Sequence, residues 1–185
     1  MSSVLVTGSS RGIGLEWCRQ YAEAGWHVFA TCRHPATAAA LLALAQSHPR
    51  LSVHRLDVTD PESVYALRAE LRDEAIDVLV NNAGVYFEKY APSAALRYDE
   101  WLQTLAVNTL GPVRVTEALA EAVARSRRRL VVTLSSHMGS IADIVTPGDT
   151  CYRSSKAALN AAMKGLAIAL GERGPGRRQG GEGPD

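Results

Sequence analysis

The chain has 185 residues and a formal net charge of +1, from 20 Lys and Arg against 19 Asp and Glu. So even a balance implies no general attraction to nucleic acid or to a membrane surface, and this length holds one domain with a sizeable core. No signal-peptide pattern and no apolar run long enough to span a bilayer is present, so a cytoplasmic protein is expected.

Helical and strand patterns alternate along the chain. Residues 4–7 form a short apolar strand, and residues 12–24 a helix that Gly25 can cap. A strand at 27–32, an alanine/leucine helix at 35–46 and a strand at 52–57 follow. Pro61 opens the next helix with Asp60 as its N-cap. A strand at 76–81 precedes one long helix over 98–125, bent at Gly111-Pro112. The last strand covers 130–135 and the last helix 152–170.

The strands are continuous apolar runs, which suits a parallel sheet covered on both faces. Alternation with helices predicts an α/β, doubly wound parallel sheet of Rossmann type. Five strands are recognisable, where a complete dinucleotide fold has six, so the C-terminal strands are missing from the pattern. The domain is expected over residues 1–171. Residues 172–185 hold no apolar residue besides Gly and Pro and are expected to be a disordered Gly/Pro/Arg-rich tail. A shifted reading frame would leave such text behind a helix; translating the other two frames checks that.

Two smaller features read as structural. The basic cluster Arg125-Ser-Arg-Arg-Arg129 falls at a helix C-terminus, where positive charge complements the dipole. Cys18, Cys32 and Cys151 have no zinc spacing; the first two fall in core patterns and the third adjoins Tyr152. No metal ligand set is expected.

The chemistry lies elsewhere. The first strand runs into Thr7-Gly8-Ser9-Ser10-Arg11-Gly12-Ile13-Gly14 with a helix directly behind. Gly8 can make the tight turn, Gly12 can let the backbone approach a pyrophosphate, and Gly14 can let helix and strand pack closely. The helix N-terminus then offers free N–H groups to phosphate. About 20 residues on, where an acidic residue would hold an NAD ribose, the chain reads Cys32-Arg33-His34. Arg33, with Arg11, suits a 2′-phosphate, so NADP(H) is favoured over NAD(H). Near the end, Tyr152 and Lys156 lie four apart on a helix and share a face. An ammonium beside a phenol favours the phenolate and equips the pair for proton transfer.

Added to these are Asp57-Val58, Asn81-Asn82-Ala83-Gly84, Asn108 and Ser135-Ser136. In this order the motifs resemble the short-chain dehydrogenase/reductase family, over residues 3–170. The stretch from Ser135 to Asp143, followed by Tyr152 to Asn160, is similar to C-factor/sniffer-type carbonyl reductases. The resemblance implies NADP(H)-dependent reduction of a small aldehyde or ketone. The cofactor side would be formed by Gly8, Ser10, Arg11, Gly12, Ile13, Gly14 and Arg33, with Asp57 on the adenine amino group and Val58 beside it. Asn81, Asn82, Ala83 and Gly84 would stabilise the central strand and pass the adenine ribose. Ser136 would polarise the carbonyl, Tyr152 would give the proton, and Lys156 would also bond the nicotinamide ribose. Asn108 would bind a water near Lys156. Ser136 is chosen over Ser135 because Gly139 follows three residues later, as in the family; no G-x-S-x-G elbow points to a hydrolase.

The chain also departs from the pattern. Relatives continue with a further strand, a Pro-Gly turn on the nicotinamide amide and a substrate-covering loop, none of which is recognisable. Residues 130–134 are therefore expected to form an exposed sheet edge. The alternative reading is a catalytically impaired nucleotide-binding or signalling protein. The last helix is apolar nearly all round, so burial on more than one side is expected. In relatives it joins the preceding long helix in a dimer interface, which implies a homodimer.

Overall fold

A computed structural model describes residues 2–87 and 96–172. Five parallel strands form its sheet: β1 (Ser3–Val6), β2 (His27–Cys32), β3 (Leu51–Arg55), β4 (Val78–Asn81) and β5 (Leu130–Thr133). Their order is β3-β2-β1-β4-β5. β1 is the midline, with Val4 opposite Val28 on one side and Val78 on the other. The helices are α1 (Gly12–Glu23), α2 (Ala39–Ser47), α3 (Pro61–Glu70), α4 (Tyr98–Leu105), α5 (Gly111–Ala124) and α6 (Thr150–Glu172).

Because side chains alternate across a strand, β1 feeds two cores. Leu5 joins Phe29 and Leu79 beneath Val64 and Leu67 of α3 and Val115 and Leu119 of α5. Val4 and Val6 join Val28, Ala30, Val78 and Val80 on the other face, with Cys18 of α1 and Leu41 of α2. Both sheet faces are covered, and this is why the strands read as unbroken apolar runs. Each fully buried aliphatic side chain contributes roughly 1.5–3 kcal/mol. On β3 and α3, Ser52 Oγ, the His54 ring and the Glu70 carboxylate are linked at 2.7 and 2.8 Å, tying the edge strand to its helix.

Local signals act as expected. The Glu62 N–H donates to Asp60 Oδ1 at 3.0 Å, capping α3, and Gly25 follows α1 with φ +78. Arg125 donates from Nη2 to the carbonyls of Arg72 and Glu74, and the Arg128 guanidinium lies 4.9 Å from the Trp26 ring. The basic cluster thus fastens the end of α5 to its surroundings. No helix among the described residues is long and apolar enough to cross a membrane.

Two expectations change. The segment expected as one helix over 35–46 is a 3-10 turn (Pro35–Thr37) and then α2, parted at Ala38 (φ −85, ψ 63). The long helix over 98–125 contains a π turn (Ala106–Leu110) between α4 and α5, in which the Gly111 N–H reaches back to the Ala106 carbonyl. Pro112 carries no N–H, so no α-helical bond from position 112 reaches the Asn108 carbonyl, and the register widens before it. Within the single chain α6 is fully buried along only part of its length. Its buried residues are Cys151, Ser155, Lys156 and Leu159; further along, Ile168 is 56% exposed. The apolar composition predicts burial on more than one side, and within one chain the fully buried positions all lie in the first half. β5 is an edge strand, as expected, with Leu130 exposed. The Gly/Pro/Arg-rich tail lies outside the described residues from position 173 on.

Candidate active site

A cleft of about 600 Å³ opens at the C-terminal ends of β1 and β4, where the strand order reverses. Its phosphate side is the turn after β1. Gly8 has φ +70, and a side chain there would put Cβ 2.9 Å from Ala83 Cα. A Cβ on Gly14 would strike the Gly8 carbonyl oxygen and come within 2.5 Å of Asn82 Nδ2. The two glycines therefore let the turn, the helix and the loop after β4 pack against one another. Side chains then lock the arrangement. Thr7 Oγ1 accepts from the N–H groups of Asn82 and Ala83 at 3.0 Å each, and Asn82 Nδ2 donates to the carbonyls of Thr7 and Gly8. Buried Ser9 donates from Oγ to the Val6 carbonyl. Arg11 starts α1 without a side-chain cap, so the first N–H groups of the helix are open toward an anion.

The predicted cofactor residues Gly8, Ser10, Arg11, Gly12, Ile13, Gly14, Arg33, Asp57, Val58, Asn82, Ala83 and Gly84 all line this one cleft. Asp57 is fixed by Thr59, whose N–H and hydroxyl donate to Oδ1 at 2.9 and 2.7 Å. Burial pushes its carboxyl up, but these bonds and the charges of Arg33 and Arg55 hold it below the usual carboxylate range. Cys32 also lines the cleft, and burial pushes its thiol pKa up.

Asn81 is placed differently from its neighbours. It is 2% exposed, and Nδ2 donates to Thr116 Oγ1 at 2.9 Å and to Thr133 Oγ1 at 3.4 Å. It ends β4 with its side chain turned into the sheet, where it ties β4 to α5 and β5. Strand alternation sends Asn82 to the cleft and Asn81 away from it.

Beyond Gly84 the wall continues through Val85 to the second cluster. Asn108, in the π turn, accepts from the Val85 N–H at Oδ1 and donates from Nδ2 to the Val85 carbonyl and to Ser155 Oγ, at 2.8, 2.9 and 3.1 Å. The Asn108 side chain is 1% exposed and is occupied by these bonds. Lys156, next to Ser155, donates from Nζ to the Leu134 carbonyl at 2.8 Å and stands 5.7 Å from the centre of the Tyr152 ring. Burial lowers its pKa, because water is withdrawn from the ammonium. Ser136 Oγ accepts from the Met138 N–H at 3.2 Å, whereas Ser135 Oγ donates to Asn160 Oδ1 at 2.6 Å. Gly139 packs under α6; a Cβ there would be 3.0 Å from Lys156. Asn108 is thus joined through Ser155 to the helix that carries Tyr152 and Lys156, Ser136 follows two residues after the Leu134 carbonyl that Lys156 bonds, and Val85 joins Asn108 to the cleft.

Several members were not foreseen from the sequence. Thr7 and Ser9 sit inside the glycine motif but act through buried bonds that spacing does not reveal. Tyr86 stacks on Tyr152 with ring centroids 4.0 Å apart and planes at 14°, and its hydroxyl donates to Asp149 Oδ1 at 2.6 Å. An aromatic two residues past Gly84 was the available signal.

Known proteins share this arrangement. A family model described as short chain dehydrogenase matches residues 2–174. An uncharacterized oxidoreductase of Schizosaccharomyces pombe is 32% identical over 172 residues, which is 91% of this chain and 68% of that protein. Carbonyl reductase Sniffer of D. melanogaster superposes with a TM-score of 0.82 at 33% identity, covering 94% of this chain and 77% of that one. The NADPH-bound carbonyl reductase from chicken fatty liver gives 0.83 at 31% identity, covering 94% of this chain and 72% of that one. With this family model matching residues 2–174 and relatives of more than 30% identity along most of its length, the chain belongs to the short-chain dehydrogenase family.

Proposed function

We propose that this protein is an NADP(H)-dependent carbonyl reductase acting on a small aldehyde or ketone, with Tyr152 as proton donor. The observation that carries this reading is the continuity of the two halves: Asn82 is bonded to the glycine turn, the chain runs on from it to Val85, and Val85 is bonded to Asn108, which donates to Ser155 beside Lys156. It joins a dinucleotide-sized cleft to a proton-transfer pair. The cleft suits NADP(H): a Cβ on Gly12 would meet nothing within 4 Å, so the turn leaves room for a pyrophosphate. Arg11 and Arg33 are exposed at the rim and no carboxylate stands at position 33 to repel a 2′-phosphate. The NADPH-bound chicken enzyme supports the same cofactor.

When bound in the cleft, a dihydronicotinamide would supply the hydride to the carbonyl carbon. The carbonyl oxygen lies between Ser136 and Tyr152. Ser136 Oγ accepts from Met138 N–H, which leaves its own proton to donate to the substrate oxygen, a bond that strengthens as negative charge builds. Ser135, held by Asn160, is less suited to this role. Tyr152 gives up its proton, aided by the ammonium of Lys156. The Asn108 side chain is engaged, so its part in any proton relay falls to its main-chain carbonyl in the π turn. Cytoplasmic location and a homodimer through α5 and α6 belong to the same reading; light scattering that finds a stable monomer counts against the dimer.

The test is NADPH oxidation with a panel of small aldehydes, ketones and quinones, wild type against Tyr152→Phe. Turnover that survives the substitution sinks the mechanism. A second reading, a nucleotide-binding protein with impaired catalysis, draws support from the exposed Ile141, Ile144 and Val145 beside the site. It predicts NADPH binding without turnover on any member of the panel.

A further inference from the structure

We infer that Tyr86, anchored by Asp149, is the positioning residue for the Tyr152 phenol. This inference rests on the reductase reading for its kinetic consequence, though the geometry stands without it. Tyr86 follows Val85, whose N–H and carbonyl are both bonded to the Asn108 side chain, so the backbone that carries the Tyr86 ring is fixed from behind. The ring lies face to face with Tyr152 at 4.0 Å and 14°. Its hydroxyl donates to Asp149 Oδ1 at 2.6 Å and lies 3.8 Å from Met138 Sδ.

Asp149 has φ +53, in the left-handed region, directly after Gly148 at φ +101. That conformation is unfavourable for most side chains and tolerable for Asp. It is held here because Asp149 does two things at once. Its carbonyl accepts from the Arg153 N–H at 2.8 Å and begins α6, and its carboxylate takes the Tyr86 hydroxyl. The residue that starts the catalytic helix also holds the ring that covers Tyr152, three positions on.

A phenol on a helix has two side-chain torsions, and a proton donor misplaced by about 1 Å loses of order 100-fold in rate. α6 is fixed from α4 by the Trp101 Nε1–H donating to Ser154 Oγ at 2.8 Å, which sets the helix but not the ring. The Tyr86 stack covers one face of the Tyr152 ring and sets its plane, with the Lys156 ammonium 5.7 Å from the ring centre.

The experiment uses the full chain labelled with ring-carbon-13 tyrosine, with the Tyr152 signals assigned from Tyr152→Phe. Wild-type Tyr152 signals are expected upfield from the Tyr86 ring current. Tyr86→Leu removes that shift and lowers kcat about 10- to 100-fold, with the KM for NADPH unchanged. Tyr86→Phe keeps the stack, most of the shift and more than a tenth of kcat. Asp149→Ala reduces both readouts, and Asp149→Asn, which tolerates the same φ and still accepts a bond, restores them. A wild-type-like thermal midpoint identifies the variants that are folded. Wild-type kcat together with an unchanged Tyr152 shift in Tyr86→Leu overturns the inference. If wild type reduces no carbonyl, the reductase reading falls and the ring shifts alone decide. A shift lost in Tyr86→Leu then upholds the positioning role, and its absence in wild type overturns it.

Discussion

The two ends of the cleft are built by different means. At the phosphate end, Thr7, Ser9 and Asn82 bond to backbone in a buried setting, and two glycines bring three segments into van der Waals contact. At the Tyr152 end, the parts are the terminus of a half-exposed edge strand, a loop with Ile141 and Val145 in solvent, and the first turns of a helix whose far half is largely exposed. The first end is held by close packing of three segments around two glycines, and the second by fewer and more exposed elements. Binding and chemistry are therefore expected to fail separately.

Tyr152→Phe tests this separation most severely. Loss of the proton donor should lower kcat about 10²- to 10⁴-fold while the NADPH dissociation constant stays within a few-fold, read by fluorescence titration. A parallel collapse of affinity would mean that the two ends are one unit. Gly14→Val strikes the other end. Its side chain would collide with the Gly8 carbonyl and Asn82, and a loss of about 3 kcal/mol in stability, with NADPH binding abolished, is expected in denaturant titration.

Asp77 offers a control at the opposite, N-terminal end of the strands. Its carboxylate accepts from the N–H groups of Ser3 and Arg128 at 3.0 and 3.3 Å. Burial pushes its pKa up, but these backbone bonds outweigh that and hold it below the usual value. A folded-state pKa below the unfolded one gives stability that is complete above about pH 4 and is lost as pH falls through the folded value. Asp77→Ala should cost about 1–2 kcal/mol at pH 7, with the gap to wild type closing in acid. An unchanged gap at low pH would show that the carboxylate charge is not what holds β1. The smallest effect is expected from Arg33→Ala: about tenfold weaker NADPH binding and little change for NADH. Equal losses for both would remove the 2′-phosphate from its role.

How much of this was legible depended on how local the cause was. The bounds of β2, the Asp60 cap and the glycine turn follow from patterns within a few residues, and they were read correctly. The π turn was not, because it reflects Pro112 together with packing of Gly111, where a Cβ would lie 2.8 Å from Val58 Cγ2. Asn81 and Asn82 are identical residues side by side, and only the pleat of β4 separates a sheet brace from a cleft residue. Periodicity reports which faces avoid water, but not what lies against them. Tyr86 was missed because its partner Asp149 is 63 positions away.

The midline pairing of β1 with β4 also sets a timetable. Gly8 is made among the first residues of the chain, while Ala83, against which it packs, comes 75 positions later. At ~5–20 residues per second of synthesis, the phosphate turn waits ~4–15 s for the loop that gives it shape. During that interval β1, with one edge still open, has β2 as a partner but nothing yet on its other side. The nascent chain should be most vulnerable to mispairing then, and a pause in translation before position 78 would lengthen that exposure.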